Sequence, residues 1–153
     1  MRNLLHLPRR RALLLYAFAD ILCLGLGMGV PIFCIALGVP VGWYLGRRLA
    51  ANSLRLDLLL DKMFFWAAVT SALTFVCMLV LWGPQALKLR ATEAELANFG
   101  IPMILYRPRA SFVGWLLLMI FVSPFLQFLC TLFGAQLGVR WHMKALRREG
   151  DPA

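Results

Sequence analysis

The sequence predicts an all-α integral membrane protein, a small polytopic helix bundle, on three observations. Three apolar blocks, Ala12–Gly46, Met63–Gly83 and Phe112–Val139, cover more than half of the 153 residues. Arginines fence each block, and one charged residue, Asp20, lies inside any of them. The remaining pieces are too short to bury a core of their own. An apolar run of about 18 or more residues has the length of a bilayer-spanning helix, so residues 1–153 read as a single transmembrane domain.

Composition agrees. Hydrophobic residues make up 61% and charged residues 15%, against about 25% charged in a soluble domain. The net charge of +9 would suggest nucleic acid in a soluble chain. Here the basic residues sit just outside the apolar blocks, where anionic headgroups and topology place them. The bilayer, not nucleic acid, is therefore the expected partner, with a homo-oligomer or a larger membrane complex beyond it. Size and style suit a prokaryotic plasma membrane.

The first block, at 35 residues, is too long for one ordinary span. Its centre reads Leu24-Gly25-Leu26-Gly27-Met28-Gly29-Val30-Pro31, the most breakable stretch of the chain. A tight hairpin broken there gives segments near 12–27 and 29–46. The arginines before Ala12 imitate a signal peptide, but the apolar chain runs on through Gly25-Leu26-Gly27-Met28-Gly29; an uncleaved signal-anchor is expected. The second block, near 63–83, is about 31 Å of helix, and Gly83-Pro84 should end it. The third, near 112–138, contains Pro124. A proline frees a carbonyl that must be satisfied in lipid, so a tilted or kinked helix is expected, with Ser123 beside it to help. In the loop 84–111, Thr92-Glu93-Ala94-Glu95 marks a helix start. An apolar stretch follows, with Tyr106 and Trp115 at headgroup level. Residues 140–153 form a basic cytoplasmic tail that frays.

Four Lys or Arg precede the first block, four lie in each inter-block segment, and four follow the third. Three spans would leave the two faces equally charged. Four segments put twelve inside and four outside, the asymmetry that membrane proteins show. Four segments with both termini cytoplasmic is therefore the expectation. In the three-span alternative residues 12–22 lie along the interface, but they lack the polar face an interfacial helix needs.

Glycine spacing is the most specific packing signal. Gly38, Gly42 and Gly46 form a double G-x-x-x-G; Gly134/Gly138 and Gly25/Gly29 form two more. Such spacing lets helix backbones approach closely in a solvent as apolar as leucine. Pro40 lies inside the triple and should bend that helix. Asp20 is an intramembrane acid, costing about 2.5–3.5 kcal/mol at a helix centre unless compensated. It reads either as a proton or cation site or as a structural group, solvated or paired with an arginine near the helix end. Gln127, Thr131 and Gln136, at spacings of four and five, are expected on roughly one face, making interhelical hydrogen bonds together with Ser123.

Catalytic and cofactor chemistry has no footing in the sequence. The four cysteines lie in apolar blocks without a C-x-x-C pair, and His6 and His142 stand alone. No G-x-S-x-G, H-E-x-x-H or Walker sequence occurs. The expectation is a non-catalytic subunit or assembly component without cofactor or metal. The alternative is a small transporter or channel component using Asp20 and the broken first block.

Overall fold

Every described element is helical, as expected where apolar blocks leave backbone groups no partner but their own helix. The computed structural model describes residues 8–26, 31–52, 56–90, 92–98 and 105–149. Among these there is no strand. The helices are α1 (Arg9–Leu26), α2 (Ile32–Asn52), α3 (Leu56–Trp82), a short α4 (Glu93–Ala97), α5 (Pro108–Leu117) and α6 (Ser123–Glu149). A 3-10 stretch, Gly83–Arg90, follows α3, and a π-helical turn, Leu118–Val122, joins α5 to α6 without a break.

Local chemistry sets the ends. The Pro8 carbonyl accepts from Ala12 N to start α1, and the Pro31 carbonyl accepts from Ile35 N to start α2. Helix α1 is described as far as Leu26; residues 27–30 of the glycine-rich stretch, where the hairpin break was expected, lie outside the described ones. Helix α3 stops at Trp82, before Gly83-Pro84. Thr92 N donates to Glu95 Oε2 at 3.0 Å, anchoring α4. Pro108 occupies the first turn of α5, where its missing N–H is no loss. Pro124 cannot donate to the preceding turn; the extra residue is absorbed in the π turn, and Ser123 Oγ donates to the Met119 carbonyl at 2.8 Å. Pro40 interrupts no part of α2.

Three stretches are long and apolar enough to cross a membrane: Ile32–Ala51, Leu58–Arg90 and Pro108–Leu146. These helices outrun the apolar blocks. The basic stretch from Arg140 belongs to the end of the last helix, which is helical to Glu149; residues 150–153, where fraying was expected, lie outside the described ones. Charge limits how far a helix sits in hydrocarbon, not how far it stays helical.

The core is the α2–α6 pair. A Cβ added to Gly38 would lie 2.7 Å from the Gln127 carbonyl oxygen. One on Gly42 would fall on the Thr131 carbonyl, one on Gly46 on that of Ala135, one on Gly134 on that of Val39, and one on Gly138 on that of Trp43. Residue numbers rise together on both helices, so the two run parallel. Helix α3 runs the other way: Leu59 and Met63 pack with Ala50 and Ala135, while Phe75 meets Phe121. Helix α1 lies beside α3 in the same direction, because Tyr16 meets Thr70, Asp20 meets Thr74 and Leu24 packs with Met78. The connector caps the far end, with Leu96 of α4 buried against Phe112 and Leu116. Large apolar side chains such as Phe18, Phe33, Phe65, Val80, Phe125 and Phe133 cover the outside.

Gly25 is the exception among the described glycines of the packing set. Nothing lies within 4 Å of a Cβ placed there, because its face of α1 points away from the bundle. Gly29 lies outside the described residues. These contacts generate a paired test. Gly42→Leu and Gly138→Leu should each destabilise the solubilised protein by at least the about 1–3 kcal/mol of overpacking. Gly25→Leu should leave its thermal midpoint unchanged. Equal midpoints for all three variants would contradict the packing described.

Candidate functional site

One turn of α1 separates Tyr16 from Asp20, and one turn of α3 separates Thr70 from Thr74. The parallel register of these helices sets the two pairs side by side, and Gln127 of α6 closes the group. Asp20, Thr74 and Gln127 are each 0% exposed, and Tyr16 and Thr70 are also buried.

The hydrogen bonds form one connected group. Gln127 Nε2 donates to the Tyr16 hydroxyl at 2.6 Å. That hydroxyl lies 3.0 Å from the Thr70 carbonyl and 2.9 Å from Thr74 Oγ1. Thr74 Oγ1 donates to Asp20 Oδ2 at 2.8 Å. A hydroxyl has one proton, so if Thr74 gives its proton to Asp20, the Tyr16 proton is shared between the Thr70 carbonyl and Thr74 Oγ1. The chain thus leads from an amide donor to a carboxyl acceptor and ties three helices together. Asp20 Oδ1 and Gln127 Oε1 have no hydrogen-bond partner among the described residues. The Cys34 thiol approaches the Asp20 carbonyl oxygen at 4.0 Å, which brings α2 to the same place. Among the described residues, a threonine hydroxyl and the Cys34 thiol, and no arginine, approach Asp20.

The polar residues of the third block divide. Gln127 and Thr131 are buried, but Gln136 is exposed. Nine residues separate Gln127 from Gln136, and at 3.6 residues per turn that is half a turn out of phase, so the three do not share a face. Only Gln127 reaches across helices. Thr131 Oγ1 donates to the Gln127 carbonyl and Ser123 Oγ to that of Met119, both within the same continuous helix. An interhelical bond comes instead from Ser71, whose Oγ donates to the Pro124 carbonyl at 2.7 Å. Tyr16, Thr70 and Thr74 were not legible as site residues singly. Their signal is the repeated i, i+4 polar pair in two otherwise apolar stretches.

A cavity of about 550 Å3 lies beside the network, between α1, α2 and α3. Tyr16 and Thr70 line its inner end, and Arg48 and Lys62 line the other. Tyr44 holds Arg48 there, its hydroxyl accepting from Arg48 Nη1 at 3.1 Å. Among the described residues no group of three His, Cys, Asp or Glu could hold a metal. Fold and site together define a helical membrane protein whose polar side chains converge on one buried acid. Comparison with protein-family models, curated proteins and solved structures finds no match.

The network can be tested by removing its middle. Tyr16→Phe leaves the Gln127 amide without an acceptor in a dry site, and should cost about 1–3 kcal/mol. Tyr16→Phe combined with Gln127→Leu removes donor and acceptor together. In a double-mutant cycle on unfolding in mild detergent, the pair should cost less than the sum of the single changes. Strict additivity would show that the two groups are not coupled.

Proposed function

We propose that the chain is a non-catalytic multi-pass membrane subunit, an assembly or scaffold component, with four membrane segments and both termini on the cytoplasmic face of a plasma membrane. The observation that carries the reading is the engagement of Asp20. Its carboxyl is fully buried and takes the end of a bond chain that joins α1, α3 and α6. A group used in this way holds helices together. The register of α1 against α3 supports a fourth segment, since Tyr16, Asp20 and Leu24 lie level with Thr70, Thr74 and Met78 in the middle of a span. It also gathers Arg10, Arg11, Arg47, Arg48, Lys62 and Arg140 at one end of the bundle, as a cytoplasmic face requires. The apolar outer surface then meets lipid, a second copy or a larger complex.

One observation favours a second reading, a small transporter or channel component. The bond chain to Asp20 passes through the Tyr16 hydroxyl and Thr74, and Tyr16 lines the cavity. A proton or cation entering there would have a hydroxyl relay to the acid. Asp20→Asn separates the readings. It keeps size and hydrogen bonding, whereas Asp20→Ala removes both. The subunit reading expects normal accumulation and assembly for Asn and a clear loss for Ala. A folded Asn variant that alone abolishes a pH-driven flux in reconstituted vesicles would replace it with the transport reading.

A further inference from the structure

The cavity between α1, α2 and α3 has the features of a site for a molecule with one apolar arm and one anionic end. Its volume of about 550 Å3 falls in the range of about 300–1,000 Å3 typical of sites that enclose small organic ligands. Its walls are apolar, from Ala19 and Leu37 at the inner end to Leu45 and Leu59 nearer the outer. Leu15, Pro40 and Phe65 line it and are exposed, so it opens sideways through apolar side chains, in the direction from which a bilayer lipid would enter. Eleven residues of α2 separate Arg48 from Leu37, about 16 Å at the rise of an α-helix. The hydrocarbon depth of one leaflet is about 15 Å, half of the bilayer core.

The outer end supplies the charge. Arg48 and Lys62 line it from different helices. The guanidinium of Arg48 is steered by the Tyr44 hydroxyl, and a guanidinium matches two phosphate oxygens at once. Arg10 and Arg11 are exposed immediately before Ala12, which lines the same end. Asp57 and Asp61 are the acids in the same stretch of sequence, and against Arg10, Arg11, Arg47, Arg48 and Lys62 they leave a positive excess. We propose that this cavity holds one acyl chain of an anionic phospholipid, with the phosphate at Arg48 and Lys62 and the chain end against Tyr16 and Thr70. The second acyl chain stays in the bilayer, outside the lateral mouth.

The test places the full chain in nanodiscs of mixed phosphatidylglycerol and phosphatidylcholine and reads retained lipid by native mass spectrometry. The wild-type chain should retain one phosphatidylglycerol, enriched several-fold over its share of the bilayer. Arg48→Gln with Lys62→Gln should abolish the enrichment. Ala19→Phe, which fills the inner end, should remove the retained lipid altogether. The thermal midpoint of each variant checks folding, and the wild-type arm stands without them. Equal retention of both lipids by the wild-type chain would overturn the proposal. So would enrichment that survives both substitutions in folded protein, because the lipid would then sit elsewhere on the basic face.

Discussion

The close parallel contact of α2 and α6 is the constraint on which the other positions depend. Lipid offers no hydrophobic gain for pressing two apolar helices together, so association must come from near backbone approach. Glycines on both helices permit it, with Gly42 over the Thr131 carbonyl and Gly138 over that of Trp43. The approach fixes the rotation of α6. With its glycine face toward α2, the buried Gln127 side chain meets the Tyr16 hydroxyl of α1. A leucine at Gly42 would therefore disturb more than one helix pair.

The same dry surroundings explain why the polar side chains cluster. An amide or carboxyl in hydrocarbon without a partner is costly, and one group alone cannot satisfy another's several donors and acceptors. Gln127, Tyr16, Thr74 and Asp20 share one chain of bonds, while Thr70, Thr131 and Ser123 return their hydroxyls to helix carbonyls. Each interhelical bond is worth about 0.6–1.7 kcal/mol in a membrane, so the chain steadies α1 against the bundle without welding it there. The cavity lies where α1 stands off from α2 and α3. Beyond it, α1 is held by the polar chain and by Leu24 packed with Cys34 and Met78.

Much of the fold could be read from the residues, and the limits have physical reasons. Apolar length gave the spanning stretches but not the helix ends, since charged turns such as those from Arg140 onward remain helical. Glycine spacing marked the faces of α2 and α6, whereas the partner of each face depends on tertiary packing. Gly25 carried the same spacing and packs against nothing, because a glycine suited to a close contact is equally suited to a helix end. Asp20 stood out as the lone charge in an apolar block. Its partners did not, because a threonine or tyrosine in such a block is ordinary until a second helix brings another polar group to it. Gln136 misled by proximity in sequence, being half a turn out of phase with Gln127.

As proposed, α1 enters the membrane beside α3 as a fourth segment instead of lying along its surface. Single cysteines placed at positions 6 and 146 of an otherwise cysteine-free chain, labelled with an impermeant thiol reagent in oriented membrane vesicles, test it most directly. Four segments require both positions to react from the cytoplasmic face. Reaction from opposite faces would mean an odd number of crossings, and would contradict the account.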